Sequence, residues 1–394
     1  MNFKSDIFYD VIVGGGSVSG LLAARQVASN GYKVLVLEED HEIGTPEHCG
    51  GVVSQKGLEK LGIVPRFKTV DNEIKHANIK SKNTSFQINS EKQKVIVIDR
   101  RAFDKELAFQ AQSFGAEIYT KHSITDVSYS DNLFTVKVSS GKTFKSTIFI
   151  EARGVSQIVK RGYRDIIPSG QFEVYAPWIK KDTIEVEFDS ELYPGFFAWI
   201  VPIGEGKGKV GVAGKNINPS LLLRNFLEKK GKPYSIIREI YAPLWTRGYI
   251  SPFVNDRVVI IGDAAGQTKP TTAGGIYSGG MGGILAGNSV SSFLADNNSP
   301  MLNDYETKWI NIFGKEFDRL LLFRKILERL DNKSIDKIFS NISDNVIEKI
   351  SSEGDFDFHA VALKRFLNAR VTINFLYALL GNEYRKIQQD LSKI

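Results

Sequence analysis

Two glycine-rich turns, each with a carboxylate beside it, are where this sequence concentrates groups able to hold a phosphorylated ligand. The first reads Gly14-Gly15-Gly16-Ser17, follows the apolar run Val11–Val13, and is answered by Glu38 at the end of a second apolar run. Glycines allow a turn without a Cβ clash and let backbone N–H groups approach a ligand closely. A helix starting there offers unpaired N–H groups and the positive end of its dipole to a pyrophosphate. An acid closing the next strand accepts a ribose hydroxyl, which makes the whole a holder for the ADP half of a dinucleotide. Ser19 occupies the third position of the glycine triplet, with Gly20 just after it, and serine is small enough for close helix–strand packing.

The second turn, Gly262-Asp263-Ala264-Ala265-Gly266, follows the apolar run Val258–Ile261. Its acid can accept from the hydroxyls of a sugar-alcohol chain, and the glycine-rich helix start Gly274-Gly275-Ile276 can present N–H groups to an electron-rich ring edge. Alone, the same residues would also serve as a strand-to-helix turn capped by Asp263. A third candidate is Cys49, the one cysteine of the chain. By itself a lone cysteine is most often a small buried hydrophobe. Last comes the run Tyr193-Pro-Gly-Phe-Phe-Ala-Trp-Ile-Val-Pro202, in which strand alternation puts Phe197, Trp199 and Val201 on one face. His41, His76, His122 and His359 are scattered, without the spacing of metal ligands.

Hydrophobic spacing says which elements position these groups. Val11–Val13 and Lys33–Leu37 read as parallel strands buried on both faces. Between them Leu21, Leu22, Ala24, Val27 and Ala28 recur at helical spacing until Asn30-Gly31 stops the helix. In the segment His41–Gly51, Pro46 and its glycines force a loop, which leaves the strand end where open α/β sheets place ligands. A short excursion of strands is expected over 70–97, then a helix after Asp99-Arg100-Arg101 and a hairpin of Phe134–Val138 with Thr143–Ile150 turning at Ser140-Gly141-Lys142. Thr183–Phe188, the aromatic run and Lys209–Ala213 suggest an inserted antiparallel sheet, and beyond about Met301 the pattern is helical to the end. The uncharged stretch from Pro270 to Ala295 is too rich in glycine for an ordinary membrane span, so a closely packed buried helix is expected there.

Composition bounds the function. The 394 residues, 42% hydrophobic and 24% charged, suit a globular chain of two or three domains. A net charge of +6 favours phosphate-bearing ligands or an anionic membrane surface, but a solvated lysine-rich exterior explains it equally, and no nucleic-acid motif accompanies it. One cysteine excludes an internal disulfide and suits a reducing interior; with no apolar signal-type core in Met1–Asp6, the expectation is a cytoplasmic protein.

The N-terminal glycine unit, Asp99-Arg100 before a helix, and Gly262–Gly266 together resemble the FAD-dependent para-hydroxybenzoate hydroxylase superfamily. Within it, His48-Cys49-Gly50-Gly51 and Phe197-Ala198-Trp199-Ile200-Val201-Pro202 are similar to motifs of the geranylgeranyl reductases of archaeal lipid synthesis, with Val201 where that family usually has Phe. The resemblance implies an α/β fold, in which a Rossmann-like FAD-binding domain of the glutathione reductase type 2 spans 1–164 and 249–300 and includes the 70–97 excursion. An antiparallel-sheet substrate domain would occupy 165–248 and a helical region 301–394. It further implies that Gly14, Gly16, Ser17, Glu38 and Arg100 hold the ADP and pyrophosphate, with a backbone contact near Ile124. Gly50 and Gly51 would approach the flavin, Asp263 the ribityl chain, and Gly275 and Ile276 the ring. Ala152-Arg153-Gly154 departs from the superfamily's usual Ala-Asp-Gly.

Saturating an isolated alkene needs a hydride, which reduced flavin offers, and a proton delivered across the same bond. A thiol, with an ordinary pKa of about 8.5, is mostly protonated at neutral pH and cheap to bury, so Cys49 is the candidate proton donor or flavin neighbour. Phe197, Trp199 and Val201 would face the isoprenoid, with Tyr193 and Trp245 as lesser candidates, while Phe196 and Ile200 read as ordinary core. No second glycine fingerprint is present for a nicotinamide domain, so an external donor, ferredoxin or reduced nicotinamide, is expected. The C-terminal helices would cap the substrate channel with weak peripheral membrane contact. A flavin monooxygenase or halogenase of the same superfamily, and a non-catalytic prenyl binder on this fold, are the competing expectations.

Overall fold

The computed structural model describes residues 7–296 and 300–367. The chain divides into two compact units, one of Met1–Glu47, Asp99–Asp165 and Arg247–Lys315, the other of His48–Ile98, Ile166–Thr246 and Glu316–Ile394.

In the first unit the strand Ile7–Gly14 lies at the heart of a sheet whose order runs Val254–Asn255, Val258–Ile260, Thr143–Glu151, Ile7–Gly14, Val34–Leu37, Glu117–Tyr119. Ile7–Gly14 pairs in parallel with both neighbours, and Val34–Leu37 is buried throughout, as the unbroken apolar runs require. Leu133–Val138 pairs antiparallel with Thr143–Glu151, forming the expected hairpin. The glycine-rich stretch forms the helix Ile276–Asp296, which lies backbone to backbone on the helix Val18–Ser29. A Cβ at Gly283 would sit 2.2 Å from the Ser19 carbonyl oxygen, and one at Gly287 2.8 Å from that of Ala23. Small residues therefore set this helix spacing, and among the described residues no helix is long and apolar enough to cross a membrane.

The second unit carries a seven-stranded sheet in the order Ser235–Trp245, Ile166–Tyr175, Lys207–Ala213, Ala198–Gly204, Thr183–Glu187, His76–Lys80, Ser85–Asn89. Its core face holds Phe172, Val174, Ala198, Ile200, Val210 and Val212, under the helix Pro219–Lys229. Two expectations are corrected here. The 70–97 excursion was expected with the dinucleotide-binding domain, but His76–Lys80 pairs in parallel with Thr183–Glu187 and so extends the second unit's sheet; this long-range pairing leaves no trace in local hydrophobic spacing. The aromatic run is not one continuous strand from Tyr193. The left-handed backbone of Gly195 and a bond from the Phe196 N–H to the Tyr193 carbonyl make a turn, and the strand starts at Ala198.

Helices Asn332–Ser340 and Asp344–Glu353 lie against the edge strand Ser85–Asn89. Asp336 there accepts from Ser81 and Asn83, and the Asn89 N–H donates to the Ser351 hydroxyl. An edge that could otherwise pair with another chain is covered. The helix Ala360–Leu367 begins the last expected helical stretch, whose remainder lies outside the described residues.

Candidate functional site

The first unit builds a cradle from its strand ends. Leaving Ile7–Gly14, the chain turns through Gly15, whose φ of +106° favours glycine and whose added Cβ would lie 2.5 Å from the Ala152 carbonyl oxygen. Glu38 Oε2 accepts the Gly16 N–H at 2.7 Å and Oε1 accepts that of Asp40 at 2.9 Å, so the carboxylate is pinned beside the turn. Ser17 stands at the N-cap of Val18–Ser29 without a side-chain bond to the helix, which leaves the capping to a ligand or water. Ser19 packs on the second turn, since a Cβ at Gly262 would meet its hydroxyl oxygen at 2.3 Å. The position that tolerates no side chain is Gly20, where a Cβ would fall 2.0 Å from the Gly15 carbonyl oxygen.

Arg100 opens the helix Arg100–Ser113, capped by Asp99, and is oriented by a two-pronged pair with Asp104 at 3.0 and 2.8 Å. Asp104 is buried, and that burial raises its carboxyl pKa while the Arg100 charge opposes the rise. The Ile124 side chain lies over the glycine turn, its Cδ1 2.9 Å from where a Gly14 Cβ would be. Arg153, which departs from the superfamily pattern, pairs with Glu151 through Nε at 2.9 Å and donates to the Ile124 carbonyl at 3.5 Å. It thus ties two strand ends of the sheet together.

Asp263 keeps accessible surface, yet the chain crowded around it raises its pKa by desolvation, a rise that the Arg100 charge opposes. Accessibility decides whether a ligand can reach it, and the crowding decides how strongly the carboxylate seeks a donor. Gly275 stands close by, its hypothetical Cβ 3.3 Å from Asp263 Oδ1, and Ile276 begins the helix. Glu38 is likewise raised by burial, with the Asp40 and Gly16 N–H groups pulling the other way. A turn with no room for side chains, a helix start without a side-chain cap, Arg100 held by Asp104, and the carboxylates of Glu38 and Asp263 together suit a dinucleotide such as FAD.

In the second unit the loop Cys49-Gly50-Gly51 is fastened at its end. Gly51 has a φ of +81°, and a Cβ on it would lie 2.4 Å from the Ile98 carbonyl oxygen, while its N–H donates to Cys49 Sγ at 3.3 Å. A Cβ on Gly50 would sit 3.7 Å from Val201 Cγ2, so the loop rests on the strand Ala198–Gly204. Cys49 itself is half-buried.

The remaining candidates separate by burial. Trp199 and Val201 lie on the face opposite the main core, clustered with Val52, Val97 and Ile184, whereas Ile200 points into that core as ordinary packing would have it. Phe197 is half-buried and stacks on buried Phe196 at 4.2 Å. Tyr193 belongs to the main core, where burial raises its phenol pKa, and Trp245 is buried at the end of its strand. Sequence spacing missed a further chain of ring contacts. Phe86, Phe339, Phe188 and Phe197 follow one another at 5.2, 5.8 and 5.4 Å between ring centroids, and Trp199 comes next at 6.1 Å. These rings come from four separate segments, so only the folded chain lines them up. Arg324, fully buried, lies over the Phe196 ring at 4.8 Å and pairs with Glu328, which also holds Lys215 at 2.9 Å.

Comparisons with known proteins give the family and the fold. A family model described as FAD dependent oxidoreductase matches residues 10–162. Digeranylgeranylglycerophospholipid reductase 2 of Methanothermobacter thermautotrophicus is 30% identical over 366 residues, covering 87% of this chain and 94% of that protein. The crystal structure of a geranylgeranyl bacteriochlorophyll reductase-like protein from Thermoplasma acidophilum matches with a TM-score of 0.83 and 24% identity, over 95% of this chain and 100% of that one. The p-nitrophenol 4-monooxygenase PnpA of Pseudomonas putida shares the fold at a TM-score of 0.70 and 16% identity, over 93% of this chain and 99% of that one. Motif, fold and relatives converge: the chain belongs to the digeranylgeranylglycerophospholipid reductase family, within the FAD-dependent oxidoreductases.

Proposed function

We propose that this protein is an FAD-dependent reductase that saturates the isoprenoid C=C bonds of geranylgeranyl chains in archaeal glycerophospholipids. The observation carrying this reading is the seating of the only thiol of the chain, in the Cys49–Gly51 loop, on the strand that presents Trp199 and Val201, at one end of the aromatic row from Phe86. A row of half-buried rings suits a long hydrocarbon chain without selecting polar groups.

Gly14, Gly16 and Ser17 would bind the pyrophosphate through backbone N–H groups, Glu38 a ribose hydroxyl, Arg100 a phosphate oxygen, and Ile124 the adenosine portion by backbone contact. Asp263 would accept from the ribityl chain, with Gly275 and Ile276 offering N–H groups to the ring; for Gly50 and Gly51 the role of flavin neighbour is what the family resemblance implies. FAD, when bound and reduced, supplies the hydride for the alkene. Cys49 delivers the proton and then regains one from solvent. Phe197 and Trp199 orient the prenyl chain, and Val201 closes the apolar surface beneath it; Tyr193 and Trp245 support that surface from the buried side.

Electrons come from an external donor, ferredoxin or reduced nicotinamide. The domain organisation is a dinucleotide-binding part, a sheet part that takes the lipid, and C-terminal helices serving as its cap, with weak contact to a membrane surface. Incubating FAD-loaded, chemically reduced protein with unsaturated archaeal glycerophospholipid under strict anaerobiosis tests the proposal by lipid mass. Gain of two hydrogens per reduced bond is the expected outcome. Product formed only after oxygen is admitted, and heavier by oxygen, would assign the chain to the monooxygenases instead.

A further inference from the structure

Two strands of the second unit converge on the backbone of Cys49, and a third reaches it through one of them. Gln171, in Ile166–Tyr175, donates through Nε2 to the Cys49 carbonyl at 3.4 Å, and Lys209, in Lys207–Ala213, donates through Nζ to the same oxygen at 3.5 Å. The Trp199 indole N–H, from Ala198–Gly204, donates to Gln171 Oε1 at 3.3 Å. Each bond is long, but a carbonyl oxygen has two lone pairs and here both can be engaged. Gln171 and Lys209 are 5% and 2% exposed. An amide and an ammonium buried this deeply under an apolar surface are costly unless they hold something.

Sheet register explains how the indole reaches the amide. Gln171 pairs with Gly211, and Gly211 with Trp199, so the three form one row across the sheet; Glu173, Lys209 and Val201 form the next row on the same face. Trp199 and Gln171 are two strands apart, about 10 Å, and the indole spans that gap by lying flat over the middle strand. A Cβ at Gly211 would fall 2.1 Å from the indole Cε2 and Cζ2 atoms. The missing side chain at position 211 is therefore what lets Trp199 touch Gln171.

We propose that Gln171, together with Lys209, is a positioning residue that seats the Cys49 loop on the lipid-facing strand and couples it to the Trp199 indole across Gly211. The amide faces both ways: its N–H₂ grips the loop carbonyl while its oxygen holds the indole. Pressure of a hydrocarbon chain on the indole is thereby transmitted to the backbone that carries the thiol. The catalytic consequence rests on Cys49 acting as proton donor; the seat itself does not.

Because the chain contains a single cysteine, alkylation by iodoacetamide reports on Cys49 alone in the full-length, FAD-loaded protein. Gln171→Met keeps side-chain length and loses both polar contacts. It should raise the alkylation rate about fivefold or more, the size expected for losing one or two neutral hydrogen bonds. Lys209→Met should act in the same direction. For turnover, Gln171→Met should lower kcat about tenfold while leaving KM within about twofold, the signature of misplacing the reacting group rather than weakening lipid binding. Gly211→Val, which displaces the indole but leaves the Gln171 amide in place, should chiefly raise KM. Faster alkylation supports the seat even if the parent protein reduces no prenyl lipid. Alkylation rates within about twofold of the parent in both Met variants would overturn the seat and leave the reductase reading standing.

Discussion

The glycine turns of the first unit and the aromatic face of the second solve recognition in opposite ways. In the first, backbone does the work, and side chains are excluded at Gly15, Gly20 and Gly283 because carbonyl oxygens occupy the space within 2.5 Å. In the reading proposed above, the helix N-terminus beside the turn then takes a pyrophosphate. In the second, side chains do the work, and rings from separate segments stand 4.2–6.1 Å apart. In the proposed reading, such a row accepts a range of hydrocarbon shapes. The thiol proposed above as proton donor is held beside it by Gly51, Gln171 and Lys209. A strict holder for a recurrent cofactor and a forgiving one for a long lipid is the division of labour expected when specificity lies in the chemistry rather than the grip.

That contrast can be broken or sharpened by substitution. The largest effect is expected at the thiol: Cys49→Ala should retain bound flavin and lose turnover by about 100-fold or more, as for removal of a general acid. Steady-state kinetics beside the flavin spectrum checks this, and unchanged kcat would relegate Cys49 to packing. Next, Gly283→Val should cost stability by about 1–3 kcal/mol, because the helix Ile276–Asp296 must move off Val18–Ser29. The same variant should shed flavin, and thermal unfolding with and without added FAD reads both effects.

The aromatic row should respond more gently. Phe188→Ala removes a ring that touches both Phe197 and Phe339, and should raise KM for lipid by about 10-fold at near-constant kcat, the mark of lost uniform binding. Equal loss of kcat would mean that the row positions the reacting bond and does more than hold the chain.

The smallest effect is on pH dependence. Burial raises the Glu38 and Asp263 pKa values, and each group accepts a hydroxyl hydrogen bond more strongly when ionised. Binding of FAD therefore favours the deprotonated forms, and affinity should fall as pH drops through values above the ordinary carboxylate range. For the flavin-free protein the sign is reversed. A carboxyl whose pKa is raised by folding adds stability as it takes up its proton, and withdraws that stability as pH rises through the folded-state value. Fluorescence titration with FAD at a series of pH values tests the first statement, and a flat profile down to ordinary carboxylate pKa values would remove both acids from the ligand's hydroxyls.

Legibility in the sequence followed the same division. The first unit could be read because its demands are local: apolar run, glycine turn, helix, apolar run and acid occupy consecutive residues from Val11 to Glu38, and each is an elementary steric requirement. The close packing of the glycine-rich helix was legible for the same reason. Less could be read in the second unit. Trp199 and Val201 share a face as alternation requires, but the surface they join is completed by Phe86, Phe188 and Phe339, brought together by pairing of His76–Lys80 with Thr183–Glu187 and by the helix Asn332–Ser340. Gln171 and Lys209 gave no signal at all, since a glutamine and a lysine on alternating strands look solvated until the loop that buries them is in place.

The central claim, that reduced flavin on this chain saturates prenyl double bonds, is tested most directly by a single turnover without oxygen. Protein loaded with one equivalent of FAD and reduced in an anaerobic cell is mixed with geranylgeranyl glycerophospholipid, and flavin absorbance and lipid mass are followed together. The account predicts that the oxidised flavin spectrum returns in step with the gain of two hydrogens per flavin, and that Cys49→Ala slows both. Flavin that stays reduced over an unchanged lipid, and reoxidises only when air enters, would contradict it.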